Sequence, residues 1–246
     1  MLALADWALP AVPYLTVLMI LLPLISAAFI LVFRGVNLQR FIALLTLATL
    51  TVMSAVLIIV ADIHGIQTVQ MGGWEAPIGI TLVADRLSSI MLFVSSIVLF
   101  AVMWYGISQG LRDGDDDDPV AVFLPTYMLL SMGVNLSFLA GDLFNLYVGF
   151  EIFLVASYVL LTLGASPQRV RAGIGYVMVS MASSMVFLFA LALVYASVGT
   201  VNMAQVGIRM AELPTGTRAA IFATILVAFS IKAAVFPLDA WLPDSY

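Results

Sequence analysis

Seven long apolar stretches constrain the fold of this chain more than any other feature of its sequence. A helix needs roughly 20 mostly apolar residues to cross a bilayer, and it satisfies its own backbone hydrogen bonds there. Hydrophobic residues make up 63% of the chain and charged residues 9%, against about 25% charged residues in soluble domains. The stretches predicted to span the membrane are 13–33, 41–61, 87–107, 120–140, 143–163, 172–197 and 219–238. The sequence therefore predicts an all-α, polytopic transmembrane helix bundle of about seven helices.

The loops divide the predicted bundle into two units. The first unit, 1–118, contains the first three helices, the loop 62–86 and the acidic run 113–118; the second unit, 119–246, contains helices four to seven. In the loop 62–86, β-favouring residues flank a Gly-Gly pair, which predicts a small hairpin at the outer face. The like charges of 113–118 repel one another and favour a solvated loop. A docking patch for a basic partner is the alternative interpretation of that run.

The arginines indicate which way the chain crosses the membrane. The first, third and fifth loops carry five arginines, and the second, fourth and sixth carry three. Cytoplasmic loops hold the excess of basic residues, so we expect the amino terminus outside. We expect the first helix to stay in the protein, because its apolar run is too long for a signal core and no basic leader precedes it.

The side chains that bind redox cofactors are nearly absent. The chain has no cysteine and one histidine, which excludes disulfides, thiolate metal sites and iron–sulfur clusters formed by this chain. A single histidine cannot supply the paired axial ligands of a membrane b-type haem. No nucleotide-binding, phosphate-binding or nucleophile motif is present. We therefore expect no cofactor, no metal, no nucleic-acid partner and no enzymatic activity.

Two ionisable residues lie deep within predicted spans. Lys232, the only lysine of the chain, lies in the seventh, and Glu151 lies in the fifth. A charge at the bilayer centre costs at least about 2.5–3.5 kcal/mol. A static ion pair is one interpretation, although apolar residues often replace such pairs without loss of stability. The other is a hydrated ion path, because burial favours the neutral amine whereas a nearby carboxylate favours the ammonium ion.

Other polar residues of the spans favour a polar interior around Glu151. Tyr147 and Tyr158 precede and follow Glu151 by four and seven residues, which places all three on one face of the fifth helix. Further polar positions on helices four and six repeat at spacings of three and four: Ser131, Asn135, Arg169, Gly173, Tyr176, Ser180, Ser183 and Ser184. Helix packing is the alternative, since small residues and hydroxyls populate helix interfaces.

Two residues predict where helices begin and end. Asp142 stands where the N-cap of the fifth helix belongs. Pro237 follows Lys232 by five residues, removes a backbone donor and crowds the carbonyl of residue 233, so we expect the seventh helix to kink or break there. Unpaired carbonyls in a membrane are tolerated only where they face protein or water. A lysine beside a helix break therefore favours an ion site.

Two motifs resemble a known family. "AGDLFNLYVGFEIFLVASY" and "FSIKAAVFPLDAWLPDSY" are similar to the antiporter-like subunits of Mrp-type cation/proton antiporters and of the membrane arm of respiratory complex I. These motifs and "GGWEAPIGITLVADRLSSIM" most resemble the D-type subunits of Mrp antiporters. The resemblance implies a subunit of about fourteen helices with two inverted repeats, each containing a discontinuous helix. It also implies that Glu151 and Lys232 form a coupled pair at the start of a proton route.

The resemblance also exposes two departures. The family pattern continues with an eighth helix and a second repeat, so we expect this sequence to be the N-terminal half of a longer subunit. Asp239 occupies a position where family members usually have an uncharged residue or a histidine. It could be a second carboxylate near Lys232, and solvation at the helix break is the preferred alternative.

These observations predict secondary active transport. The expected protein is a proton- or cation-translocating subunit of a multi-subunit Na⁺/H⁺ antiporter in the bacterial plasma membrane, driven by the proton-motive force. Its expected partners are the other antiporter subunits, the lipid bilayer, and Na⁺ and H⁺ as transported ions. A proton-pumping subunit of a complex I-like dehydrogenase or membrane-bound hydrogenase is the alternative, and a scaffold without conduction is a third hypothesis.

Overall fold

The protein is a bundle of apolar helices with one small hairpin. The computed structural model describes residues 6–33, 35–110, 122–163, 167–239 and 241–242. The helices in chain order are α1 (Val12–Val32), α2 (Val36–His64), α3 (Arg86–Ser108), α4 (Phe123–Leu139), α5 (Leu143–Thr162), α6 (Pro167–Val198), α7 (Met203–Met210) and α8 (Thr215–Lys232). Two strands, β1 (Gln67–Gln70) and β2 (Thr81–Ala84), pair between α2 and α3, and short 3₁₀ turns cover Leu9–Ala11 and Met71–Gly73.

The described helices account for all seven predicted spans. Six are long and apolar enough to cross a membrane. The remaining one, α4, has 17 residues, which is the lower limit of about 17–25 residues for a spanning helix. The prediction of a polytopic helix bundle is therefore confirmed, and the chain is a multi-pass membrane protein.

Two helix boundaries differ from the sequence prediction. The predicted loop before the seventh span contains an eight-residue helix, α7, whose N-cap Asn202 accepts a hydrogen bond from the backbone N–H of Gln205. The predicted span 219–238 is shifted towards the amino terminus: α8 begins at Thr215 and ends at Lys232. Lys232 thus terminates its helix, five residues before Pro237.

The loop 62–86 forms an antiparallel strand pair. Its register pairs Gln67 with Ala84 and Gln70 with Thr81. Gly72 and Gly73 adopt positive φ angles of 66° and 74° in the connecting segment, a conformation that glycine reaches without a Cβ clash. The chain reverses over residues 71–80, and the two glycines lie near the start of this connection.

The hairpin fastens one end of the bundle. The N–H of Gly141, between α4 and α5, donates to the carbonyl of Thr81 at 2.8 Å, and the N–H of Met203 donates to the carbonyl of Gly141 at 3.0 Å. The N–H of Leu143 donates to the carbonyl of Val201 at 2.9 Å. These bonds join β2, the turn before α5 and the segment before α7, so they fix where α5 begins.

The buried core of the described residues has one large part and two smaller clusters. The large part packs α1, α2, α3 and α4 together around residues such as Met19, Leu47 and Met128. A smaller cluster around Phe187 joins α5, α6 and α8. The acidic run 113–118 lies outside the described residues. The division of the chain at 118/119 remains a prediction, and the large core includes α4 together with the first three helices.

Helices α4 and α5 approach each other closely at two glycines. A Cβ added to Gly133 would lie 2.6 Å from the backbone nitrogen of Phe153, and one added to Gly149 would lie 2.5 Å from the hydroxyl of Ser137. Small residues allow this approach in membranes. The contact sets the position of α5, and hence of Glu151, against the large core.

Candidate functional site

The two intramembrane ionisable side chains meet in the structure. Glu151 is the ninth of the 20 residues of α5, and Lys232 is the last residue of α8. Lys232 Nζ lies 3.8 Å from Glu151 Oε1, and the two side chains are 10% and 34% exposed. At this separation and an effective dielectric of ~20 their attraction is about 4 kcal/mol. The charges therefore partly offset the cost of placing both in the membrane.

Ser184 on α6 bridges the pair. Lys232 Nζ donates a hydrogen bond to Ser184 Oγ at 3.2 Å, and the Ser184 hydroxyl donates a short hydrogen bond to Glu151 Oε1. The direct separation of 3.8 Å between amine and carboxylate is too long for a hydrogen bond. The hydroxyl thus completes a continuous chain from ammonium to carboxylate, which we call the Lys–Ser–Glu unit.

Aromatic rings enclose the amine of this unit. Lys232 Nζ lies 5.4 Å from the centroid of the Phe150 ring, a cation–π distance. Phe150 in turn packs against Phe187 and Phe229, with centroids 6.0 Å away in each case. The sequence analysis did not single out Phe150. The rings reduce solvent access and hold the ammonium near the hydroxyl.

The two predicted tyrosines lie beside the unit and outside its hydrogen bonds. Tyr147 packs its ring against Phe187 at a centroid distance of 5.8 Å. Tyr158 lies against Gly173, where an added Cβ would come within 3.3 Å of its ring. Both lie on α5, and their role in ion translocation remains a prediction. Glu151 alone among the three residues contacts Lys232.

The other predicted site residues take different places. Ser180, one turn before Ser184, is half-buried, and among the described side chains it makes no hydrogen bond to Glu151 or Lys232. The backbone carbonyl of Asp239 accepts from the N–H of Leu242 at 2.9 Å. Its carboxylate is partly buried and forms no ion pair with Lys232 in the described part of the chain.

The end of α8 is closed by local hydrogen bonds. The N–H of Val235 returns to the carbonyl of Ser230 at 3.0 Å and the N–H of Ala234 to that of Ile231 at 3.2 Å, with Ala234 at a φ of 50°. Trp241 Nε1 donates to the same Ile231 carbonyl at 2.9 Å. Carbonyls that the helix break frees therefore find partners.

Trp241 is a second residue that the sequence prediction missed. Its ring packs on Tyr176 of α6 at 5.4 Å, and the Tyr176 hydroxyl is 2.7 Å from that of Ser157 on α5. A buried indole N–H needs an acceptor, and a broken helix supplies one. The contact ties the segment after the break to the two helices that carry Glu151 and Ser184.

Asp142 lies at the start of α5, outside its membrane-spanning segment. One carboxylate oxygen accepts from the backbone N–H of Asn145 at 2.6 Å, which makes Asp142 the N-cap of α5. Burial raises the pKa of this carboxyl above its ordinary value, and hydrogen bonds from backbone N–H groups oppose the shift.

The chemistry available at the Lys–Ser–Glu unit is proton exchange. A carboxylate, a hydroxyl and an ammonium in sequence can pass a proton without large movement, since each group is within reach of the next. Among the described residues no group of three His, Asp or Glu side chains could hold a metal ion.

Comparisons with known proteins show which families and proteins this chain is similar to. Residues 140–246 match the profile of the NADH:quinone oxidoreductase/Mrp antiporter transmembrane family. The chain is 36% identical over 234 residues to the D-type subunit of a Na⁺/H⁺ antiporter from Alkalihalophilus pseudofirmus, covering 94% of this chain and 47% of that protein. The chain thus spans about half the length of the curated relatives it matches.

Solved structures share the fold over the same part of the chain. The structure of the Mrp complex from Dietzia sp. DQ12-45-1b matches with a TM-score of 0.86 and 29% identity, covering 95% of this chain and 43% of that chain. An archaeal respiratory membrane complex, the membrane-bound sulfane sulfur reductase, matches with a TM-score of 0.83 and 26% identity, covering 94% and 47%. The helix arrangement described above is therefore that of known membrane-complex subunits.

Proposed function

We propose that this chain, whose residues 140–246 match the NADH:quinone oxidoreductase/Mrp antiporter transmembrane family, is a proton- or cation-translocating part of a multi-subunit Na⁺/H⁺ antiporter. The relative with 36% identity is named as the D-type subunit of such an antiporter. The observation that carries the proposal is the Lys–Ser–Glu unit, a buried acid–base pair joined by one hydroxyl.

The proposed mechanism uses the two charged groups as proton donor and acceptor. When Glu151 takes up a proton, the Lys232 ammonium loses its closest counter-charge in a site of low dielectric, and release of its own proton becomes easier. The Ser184 hydroxyl connects both steps because it donates to one group and accepts from the other. A membrane potential of 100 mV supplies about 2.3 kcal/mol per charge moved, which is comparable with the interaction that must be broken.

The proposal also covers the residues around the Lys–Ser–Glu unit, the membrane, the partner subunits and the transported ions. The polar residues Tyr147, Tyr158, Ser180 and Asp239 are proposed to line the approach to the Lys–Ser–Glu unit, and Pro237 to prevent α8 from continuing past Lys232. We place the chain in the bacterial plasma membrane with its amino terminus outside, in a hetero-oligomer with other antiporter subunits. Na⁺ and H⁺ are the proposed transported ions, and the chain acts as a transporter subunit without enzymatic activity of its own.

A second candidate is the proton-pumping subunit of a respiratory complex. The observation that favours it is the TM-score of 0.83 to a chain of an archaeal respiratory membrane complex, close to the 0.86 to the Mrp complex. The two candidates differ in what drives proton movement. Neighbouring genes for small antiporter subunits would support antiport, and genes for iron–sulfur and flavin subunits would support the redox candidate.

Transport by substituted proteins tests the proposal. The full-length protein, with its neighbouring subunits, is expressed in cells lacking other Na⁺/H⁺ antiporters, and everted vesicles are energised by respiration. Addition of Na⁺ should release protons from wild-type vesicles. Glu151→Gln and Lys232→Ala should abolish that release, because each removes one end of the Lys–Ser–Glu unit.

The control substitutions separate loss of transport from loss of assembly. Arg218→Gln removes an exposed cation from the first turn of α8 and should leave Na⁺-dependent proton release intact. All variants must reach the membrane in equal amounts by immunoblot. Retention of transport in Glu151→Gln and Lys232→Ala would leave the scaffold hypothesis and would contradict the proposal.

A further inference from the structure

Four buried polar side chains lie in the large core, away from the Lys–Ser–Glu unit. Ser89 and Ser96 of α3 and Ser131 and Asn135 of α4 are each at most 1% exposed. The three hydroxyls and the Asn135 Oδ1 have no hydrogen-bond partner among the described residues. We call these four residues the polar seam. Buried polar groups in folded proteins nearly always have a partner, either protein or ordered water.

The register of α3 against α4 brings the seam residues to neighbouring levels. The Tyr127 hydroxyl of α4 donates to the carbonyl of Leu99 of α3 at 2.9 Å. Phe138 follows Tyr127 by eleven residues on α4, and Ser88 precedes Leu99 by eleven residues on α3. Phe138 and Ser88 line one common cavity. Both anchors therefore give the same antiparallel register.

This register pairs the members of the seam. Ser96 and Ser131 therefore come to the same level, within about one helical turn, on neighbouring helices. Asn135 lies one turn closer to the hairpin. Its Nδ2 donates to the carbonyl of Met19 on α1 at 2.8 Å, and its Oδ1 has no hydrogen-bond partner among the described residues. Ser89 is the outermost member. Ser89 and Ser96 are separated by roughly 10 Å along α3, which is the length of a chain of three or four hydrogen-bonded waters.

An open cavity lies directly above the outer end of the seam. It has a volume of about 420 Å³ and is lined by residues of the hairpin, the turn before α5 and the start of α7. Asp85, Ser88 and Phe138 form its floor next to α3 and α4. Ser89 follows Ser88 directly, and Asn135 is three residues from Phe138, so the first two seam residues are one layer below the cavity.

The seam is separate from the Lys–Ser–Glu unit. Helix α4 presents Asn135 to α1 and presents Gly133 to α5, where a Cβ would lie 2.6 Å from backbone. Glu151 points from α5 to α6, where it contacts Ser184. The close α4–α5 contact leaves no layer of side chains or solvent between the helices at that level.

We propose that the polar seam is a water-binding site, filled from the cavity at the hairpin end and reaching the middle of the bundle. Its ligand class is water, held by hydroxyl and amide oxygens that the protein itself leaves unpaired. The driving force is the large cost of an unpaired polar group in an apolar interior. The inference is independent of the transport role, since none of its residues belongs to the Lys–Ser–Glu unit.

Single-cysteine accessibility tests the site. Residues 1–246 contain no cysteine, and any cysteine elsewhere in the full-length protein is first replaced by serine. Ser96→Cys and Ser131→Cys are near-isosteric changes introduced one at a time into the full-length protein in cell membranes. The probe is Ag⁺, a water-borne ion that reacts with the thiolate form of cysteine in chloride-free buffer. Thiols left unreacted are labelled with a fluorescent maleimide after denaturation, and the labelled band is identified on a gel.

The matched controls are Met103→Cys, on α3 two turns beyond Ser96 on the side away from the cavity, and Leu47→Cys on α2. The wild-type residues are apolar, lie outside the seam and are 1% and 0% exposed. Because a thiolate forms only where water reaches the sulfur, Ser96→Cys and Ser131→Cys should react at least about tenfold faster than the controls. Equal rates in all four variants would overturn the proposal.

Two further experiments test the route by which water enters the seam: addition of Ag⁺ on one side of the membrane, and a substitution that blocks the mouth of the seam. Ag⁺ added on the hairpin side should react with Ser96→Cys, and Ser89→Leu at the mouth should slow that reaction by about the same tenfold. If Ser96→Cys reacts only with Ag⁺ added on the opposite side, entry of water through the cavity is contradicted. The variant Met103→Cys combined with Ser89→Leu controls for a general change in packing, and its rate should not change.

Discussion

Replacement of Ser184 by alanine removes the one side chain that connects both charges of the Lys–Ser–Glu unit. The hydroxyl accepts from Lys232 Nζ at 3.2 Å and donates to Glu151. Without it the amine and the carboxylate remain 3.8 Å apart, beyond hydrogen-bonding distance. The electrostatic attraction persists, but the continuous path for a proton is interrupted.

The expected magnitude follows from the bonds that are lost. A hydrogen bond to a charged group contributes about 1.5–3 kcal/mol, and each 1.4 kcal/mol corresponds to about a tenfold change. If proton exchange limits transport and one such bond is lost from its transition state, the rate should fall roughly 10- to 150-fold. Ser184→Thr keeps a hydroxyl at the same position and should recover most of the rate.

The assay is the initial rate of Na⁺-dependent proton release from everted vesicles. Ser183→Ala is the matched control, because Ser183 is the adjacent residue on α6 and bonds only to the carbonyl of Ala228 on α8 at 3.2 Å. The bridging role is refuted if Ser184→Ala transports as fast as Ser183→Ala.

Three further predictions use other residues. Lys232→Arg keeps the positive charge but cannot release a proton, so vesicle transport should fall to the level of Lys232→Ala; transport close to wild type would indicate a static ion pair. Burial raises the pKa of Asp142 above its ordinary 3.8 in the folded chain. The folded state therefore holds this proton more tightly than the unfolded state does. The resulting stabilisation is fully present below about pH 4 and is lost as the pH rises through the raised pKa. Asp142→Asn should therefore become progressively more heat-stable than wild type as the pH is raised from 4 to 8, and a pH-independent difference would contradict the shift. Trp241→Phe keeps the ring but loses the hydrogen bond to the Ile231 carbonyl, which should lower stability by about 1 kcal/mol, seen as a lower melting temperature; an unchanged melting temperature would show that the bond contributes nothing.

The bundle could be predicted from the sequence because its cause is local. Each span needs an apolar run of sufficient length, and such runs can be counted. The boundary at Lys232 differed from the prediction because the freed carbonyls of α8 are satisfied by Trp241 and by turn N–H groups. These are contacts across the break, which periodicity does not encode. The same reason explains why α7 was not foreseen, since its start depends on Asn202 and the hydrogen bonds of the hairpin.

The candidate site could be predicted in part. Glu151 and Lys232 were singled out because charge is rare in the spans, and Ser184 because it belongs to a polar stripe on α6. The contacts among the three depend on how α5, α6 and α8 pack, and spacing along one helix does not decide this. Tyr147 shares a face with Glu151, yet its ring packs against Phe187. Phe150 was missed because an aromatic residue in an apolar run carries no signal of a cation contact.

The seam residues show the same limit of sequence-based prediction. Ser131 and Asn135 were recognised as a polar pair on α4, and proximity to Glu151 was the expectation for such residues. The Asn135 side chain instead donates to Met19 on α1, on the face of α4 turned away from α5. Polarity could be read from the sequence, but the helix face it occupies required the packing of α4.

Infrared difference spectroscopy of the reconstituted full-length protein, recorded with and without Na⁺, tests the Lys–Ser–Glu unit most directly. The account predicts a protonated-carboxyl band that changes on Na⁺ addition, disappears in Glu151→Gln and shifts in frequency in Ser184→Ala, because the hydroxyl bonds to that carboxyl group. A spectrum without such a band, or one that both substitutions leave unchanged, would contradict proton exchange at Glu151.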